Sequence, residues 1–176
     1  MRTNTFVHKY LKGLINKEDI VVDMTVGNGN DTLLLCQLAK EVIGFDINEE
    51  AIINTANRVK DYSNVRLIKD NHINIDLYLN EGIKLFIFNL GYLPHSDNPS
   101  TTKASETLIA FKKAYSLLKD NGYIIITFYL GHKGGYDEYY LLTDYFKNND
   151  INVIEKYQAH SSLKEPIVYI IKKVTT

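Results

Sequence analysis

Apolar positions fall along the chain in two alternating rhythms, one near 3.6 residues and one near 2. Phe6, Tyr10 and Leu14 recur at four-residue spacing with Val7 and Leu11 beside them, which predicts an amphipathic helix over residues 3–16 whose role is packing. A short β-branched run at 20–23 reads as a strand, followed by a Gly/Asn-rich turn and a helix carrying Leu33, Leu34, Leu35 and Leu38. Strand, helix and strand follow at 42–46, 49–60 and 65–68. Residues 85–90 are apolar except for Asn89, as in a central strand covered on both faces. Leu108, Phe111, Tyr115 and Leu118 then mark a helix over 102–119, ended by Asn121-Gly122, and 123–129 is the most strand-like stretch. Gly134-Gly135 precedes a further amphipathic helix, and the strands expected at 151–158 and 167–173 have no helical pattern between them, so they can pair antiparallel. This order predicts one α/β domain over 1–176, a three-layer sandwich with a mostly parallel sheet that binds ligands at the carboxyl ends of its strands.

Charge narrows the partners. Twenty Lys plus Arg against 21 Asp plus Glu leave a net charge of −1, so no whole-molecule positive field gathers nucleic acid, and any RNA must be held by a local patch. Arg2, Arg58 and Arg66 are the only arginines, so such a patch consists mainly of lysines, with Lys103, Lys112, Lys113 and Lys133 near the expected active edge. Cys36 is the only cysteine, which excludes an internal disulfide or a cysteine-based zinc site and fits a reducing cytoplasm. The five histidines lack paired i, i+4 spacing, so no metal is expected, and the longest apolar stretch, 123–130, is far too short to cross a bilayer. A homodimer is left open.

Three segments carry chemistry. In Asp23-Met24-Thr25-Val26-Gly27-Asn28-Gly29-Asn30-Asp31-Thr32, glycines at 27 and 29 let backbone approach a ligand in front of a helix N-terminus. A dinucleotide fingerprint needs a third glycine where Thr32 stands, so a nicotinamide cofactor is disfavoured. An acid at Asp23, four residues before Gly27, matches instead the Asp-x-Gly-x-Gly-x-Gly signature of S-adenosylmethionine enzymes, with Thr25 in place of the first glycine, and its carboxylate can serve a ligand's ammonium group. Asp46, in Gly44-Phe45-Asp46-Ile47, ends the second strand where a carboxylate can accept ribose hydroxyls or cap the next helix. Lys69-Asp70-Asn71-His72 follows the third strand, where adenine contacts or a helix start are both expected. In Asn89-Leu90-Gly91-Tyr92-Leu93-Pro94, Asn89 and Tyr92 occupy the first and fourth places of the Asn/Asp-Pro-Pro-Tyr segment of amino-group methyltransferases. His132, after the fifth strand, can orient substrate or take a proton.

Taken together, these segments, the Thr101-Thr102 pair and Gly131-His132 resemble the small class I methyltransferases once called rRNA methylases and later associated with wobble-uridine modification, the tRNA 5-(aminomethyl)-2-thiouridine methyltransferases. The chain departs from that family at Asn30, at His95-Ser96-Asp97-Asn98 and at Ala159-His160-Ser161-Ser162. The resemblance implies a Rossmann-like, seven-stranded sheet with an antiparallel last strand. It implies methyl transfer from S-adenosylmethionine to the amine of 5-aminomethyl-2-thiouridine in the tRNA anticodon stem-loop. Cofactor contacts are then expected from Asp23, Thr25, Gly27, Asn28, Gly29, Asn30, Asp31, Thr32, Asp46, Ile47, Asp70, Asn71 and Asn89. Asn89, Tyr92 and His132 are expected to be catalytic, with substrate contacts from Leu90, Gly91, Tyr92, Thr102, Lys103 and Lys133. Three other functions stay open: N-methylation of an rRNA purine, methylation of a small amine, and a non-catalytic cofactor-binding RNA module.

Overall fold

Strand and helix alternate through the first five strands, as the periodicity predicts. The computed structural model describes residues 1–91, 100–131, 134–162 and 164–174, with backbone alone at 100–102. Its elements are α1 (Thr3–Leu14), β1 (Ile20–Asp23), α2 (Asn30–Leu38), β2 (Glu41–Asp46), α3 (Glu49–Arg58), β3 (Val65–Lys69) and β4 (Ile83–Leu90), then α4 (Ser100–Leu117), β5 (Leu118–Phe128), α5 (Gly135–Asn148), β6 (Val153–Tyr157) and β7 (Ile167–Lys172).

The sheet order is β3-β2-β1-β4-β5-β7-β6. Neighbouring pairs from β3 to β5 are parallel, while β7 runs antiparallel to both β5 and β6. The chain winds outward one way from β1 and the other way from β4, so a crevice opens between the carboxyl ends of these two central strands.

Each face of the sheet is covered. Phe86, Phe88, Ile124 and Ile126 pack with Phe111 of α4 and Phe146 of α5 on one side; Leu85, Ile87 and Ile125 pack with Leu11 of α1 and Leu35 of α2 on the other. Period-2 alternation along β4 therefore sends even-numbered side chains toward α4 and α5 and odd-numbered ones toward α1 and α2.

Two boundaries differ from the sequence expectation. A 3-10 helix at His72–Leu77 follows β3, with Asn71 as its cap accepting from Ile73 N–H at 3.1 Å. The fifth strand starts at Leu118 rather than at Tyr123, because Ile83 pairs with Leu118 and Leu85 with Tyr123 across an irregular register. Asn121-Gly122 thus lies inside that irregularity, with Asn121 at φ +63 and its N–H on the Lys173 carbonyl at 3.0 Å. No helix among the described residues is long and apolar enough to cross a membrane.

Candidate active site

The loop after β1 is held from three directions. Alternation along β1 turns Asp23 under α2, where it is fully buried. Its Oδ1 accepts the Thr25 N–H at 3.1 Å and its Oδ2 the Thr32 hydroxyl at 2.7 Å. Burial, reinforced by the nearby Asp31 charge, pushes its pKa up to about 7. Asp23 and Thr32 therefore stand behind the cavity wall and fix the loop, which differs from the expected contact between Asp23 and a ligand ammonium. Gly27 at φ +53 donates its N–H to Asp46 Oδ2 at 3.1 Å, and its carbonyl accepts the Thr55 hydroxyl at 3.0 Å. Gly29 at φ +84 passes so close to α3 that a Cβ there would lie 2.9 Å from Thr55 Oγ1. The residue at 25 is threonine for a positive reason: its hydroxyl accepts the Asn89 N–H at 2.8 Å.

Asn89, at the end of β4, is an odd-numbered position and so faces α2. Its Nδ2 donates to Asp31 Oδ2 at 2.6 Å, and Asp31 Oδ1 lies 2.7 Å from His8 Nε2. The N-terminal helix, expected only to pack, thus supplies a polar partner to the site. Asn4 and His8 sit four apart on one helical face, and that spacing was the signal available in the sequence. Leu90 accepts the Tyr129 N–H through its carbonyl at 3.3 Å.

The opposite wall comes from the 3-10 helix and α4. His72 Nδ1 lies 3.3 Å from the Met24 carbonyl, which can only accept, so this nitrogen carries the ring proton; burial lowers the imidazole pKa. Lys103 Nζ donates to the Gly91 carbonyl at 2.8 Å and lies 3.2 Å from Glu138 Oε1, while Glu138 Oε2 accepts the Thr107 hydroxyl at 2.9 Å. Lys113 is likewise engaged, by the Ile73 carbonyl at 2.6 Å and Asp76 at 2.7 Å, and Lys112 sits 4.9 Å over the Tyr145 ring. Of the four lysines near the active edge by chain position, Lys103 and Lys113 are thus bound to the protein's own acceptors.

Together these walls enclose a cavity of about 340 Å³ at the β1–β4 crevice. Thr25, Gly27, Asn28, Asn30, Asp31, Asp46, Ile47, Asp70, Asn71, Asn89, Leu90, Gly91 and Lys103 line it, so most of the residues singled out from sequence converge there. Asn4, Glu106, Thr107 and Tyr129 line it as well and carry no such signal, while His72 joins them from the segment after β3. Asp46 accepts one N–H on each oxygen, from Gly27 and from Asn48, and keeps further lone-pair positions toward the cavity. Asp70 is more heavily engaged, by Asn71 N–H, Asn74 and the Tyr78 hydroxyl, with its pKa lowered chiefly by the Tyr78 bond. Tyr92, His132, Lys133 and the Thr102 side chain lie outside the described residues. Among the described residues, no cluster of His, Cys, Asp and Glu could hold a metal.

Comparison with known proteins finds methyltransferases described for tRNA and for rRNA. The family model described as "Putative rRNA methylase" matches residues 42–172. A chloroplastic tRNA (mnm(5)s(2)U34)-methyltransferase of Arabidopsis thaliana is 33% identical over 147 residues, covering 74% of this chain and 54% of that protein. The chain thus spans about half the length of that curated relative. A Streptococcus mutans protein described as a putative methyltransferase, solved in complex with SAH, is 34% identical with a TM-score of 0.87 and 99% coverage of both chains. An rRNA methylase from Streptococcus thermophilus is 32% identical with a TM-score of 0.83, covering 99% of this chain and 98% of that one.

Proposed function

The chain belongs to the family described as putative rRNA methylase, and we propose that it methylates the amine of 5-aminomethyl-2-thiouridine at the tRNA wobble position, using S-adenosylmethionine. The observation that carries this reading is the convergence of the glycine loop, Asp46 and Asn89 on one cavity. The 33% identity with the Arabidopsis tRNA methyltransferase supports the wobble uridine as target.

The residues present fit the cofactor. Asp31, Asp46, Asp70 and Glu106 line the cavity against one lysine, a balance suited to a ligand bearing both a sulfonium and an ammonium. Gly27 and Gly29 keep side chains out of the loop, and the first-turn N–H groups of α2 suit a carboxylate. Asp46 would offer its remaining lone pairs to ribose hydroxyls, with Ile47, Asp70 and Asn71 as further residues that would hold the cofactor. When bound, the cofactor supplies an electrophilic methyl group on a good leaving group.

The protein's own task is to align and deprotonate the acceptor. A primary alkylamine is largely protonated at neutral pH, so the pocket must favour the free base. Asn89 Oδ1 accepts an N–H from that amine and aims its lone pair, a positioning effect. By the resemblance of its segment, Tyr92 is assigned to the uridine ring, and the proton to His132 or solvent. A wobble base is unpaired and can be splayed into such a pocket.

The test is parallel incubation of labelled S-adenosylmethionine with tRNA lacking this methyl group, with rRNA, and with small amines in the absence of RNA, followed by mass spectrometry of the products. Conversion of 5-aminomethyl-2-thiouridine to its methylaminomethyl form supports the reading; label in a purine of rRNA, or in a free amine without RNA, overturns it.

A further inference from the structure

We propose that His8 is a positioning residue of this site: acting through Asp31, it holds the Asn89 amide so that Oδ1, and not Nδ2, faces the methyl acceptor. The inference rests on the reading that Asn89 receives the acceptor amine.

Three short bonds join three separate elements, from His8 on α1 to Asp31 on α2 at 2.7 Å, from Asp31 to Asn89 on β4 at 2.6 Å, and from the Asn89 backbone to Thr25 at 2.8 Å. Their donor directions are fixed by chemistry. An ionised carboxylate only accepts, so His8 Nε2 and Asn89 Nδ2 both donate to Asp31. A side-chain amide has its acceptor and its donor on opposite sides of a planar group. Once Nδ2 is committed to Asp31, Oδ1 must point the other way. The Thr25 bond stops the main chain from shifting to undo this.

His8 matters because Asp31 has two oxygens and a rotatable stem. With Oδ1 anchored by the imidazole, Oδ2 stays opposite Asn89. The side chains of His8 and Asp31 are only 32% and 16% exposed, so water does not fully replace the imidazole. Without that anchor the carboxylate can turn away, and the amide can flip to present N–H donors to an amine that needs an acceptor.

The experiment compares wild type, His8→Ala and His8→Gln, the last retaining a donor toward Asp31. Expected for His8→Ala is a kcat about tenfold lower with tRNA KM and SAH affinity within about twofold, and for His8→Gln recovery to within about threefold of wild type. In parallel, the Asn89 side-chain NH2 resonances, identified by their loss in Asn89→Ala, should move in His8→Ala and return in His8→Gln. That spectrum needs no RNA. Wild type that shows the His8-dependent resonance without methylating tRNA would uphold the relay and overturn the substrate reading. Resonances unmoved in His8→Ala, or moved with kcat unchanged, would overturn the role of His8.

Discussion

The Thr25 hydroxyl accepts the backbone N–H of Asn89 at 2.8 Å, extending by a side chain the contact between the two central strands. The paired ladder stops at Asp23 and Ile87, with one further bond from Met24 N–H to Ile87 O at 2.9 Å. The Met24 carbonyl lies 3.3 Å from His72 Nδ1, and the Thr25 hydroxyl is the acceptor for the Asn89 N–H. Thr25→Val should leave a half-buried N–H unsatisfied and cost about 1–3 kcal/mol in urea unfolding, while Thr25→Ser stays close to wild type. Equal stability of the two variants would show that the hydroxyl does not carry this contact.

Gly29 combines φ +84 with a Cβ position 2.9 Å from Thr55 Oγ1. Gly29→Ala should therefore destabilise by about 1–3 kcal/mol and displace the loop. Calorimetric titration with SAH is expected to show at least about tenfold weaker binding, and unchanged affinity would sever the loop from cofactor recognition.

Asp23 binds its proton more tightly in the folded chain, at about pH 7, than a free carboxyl does near 3.8. The native state then carries more protons than the unfolded state between these values, so this group lowers stability as pH rises from about 4 to about 7. Asp23→Asn keeps an acceptor for Thr25 and removes the titration. Melting temperatures recorded across that window should fall less steeply for the variant than for wild type.

Lys103 stands over Glu138, whose side chain is 1% exposed. Removing the cation in Lys103→Met leaves a buried carboxylate without its partner, at a cost of about 3–5 kcal/mol. Adding Glu138→Gln should return most of that stability. Chemical denaturation of the two single variants and the double variant measures the coupling, and simple additivity would refute it.

RNA affinity should be modest and salt-sensitive, since the net charge is −1 and Lys103 and Lys113 are internally engaged. Filter binding against salt concentration is expected to give a log–log slope no steeper than about −3, corresponding to a few phosphate contacts. A much steeper slope would reveal a larger basic surface.

Local pattern alone determined a great deal. The alternation of periods announced the sheet and its helices. Gly27 and Gly29 marked a loop where side chains are excluded, and Asp46 and Asn89 marked strand ends, because a polar residue closing an apolar strand has to reach an edge. Tertiary structure decided which of these residues meet, and on which side. Asp23 looked like a ligand-facing acid, yet one-residue alternation along β1 turns it beneath α2, where burial raises its pKa to about 7. Lys103 and Lys113 looked like free cations until folding brought Gly91, Glu138 and Asp76 to them. His8 is 23 residues from Asp31 and 81 from Asn89 in sequence, and no periodicity joins them. Periodicity records which face of its own element a residue occupies; the partner across the crevice is set by strand order, which brings β1 and β4 side by side.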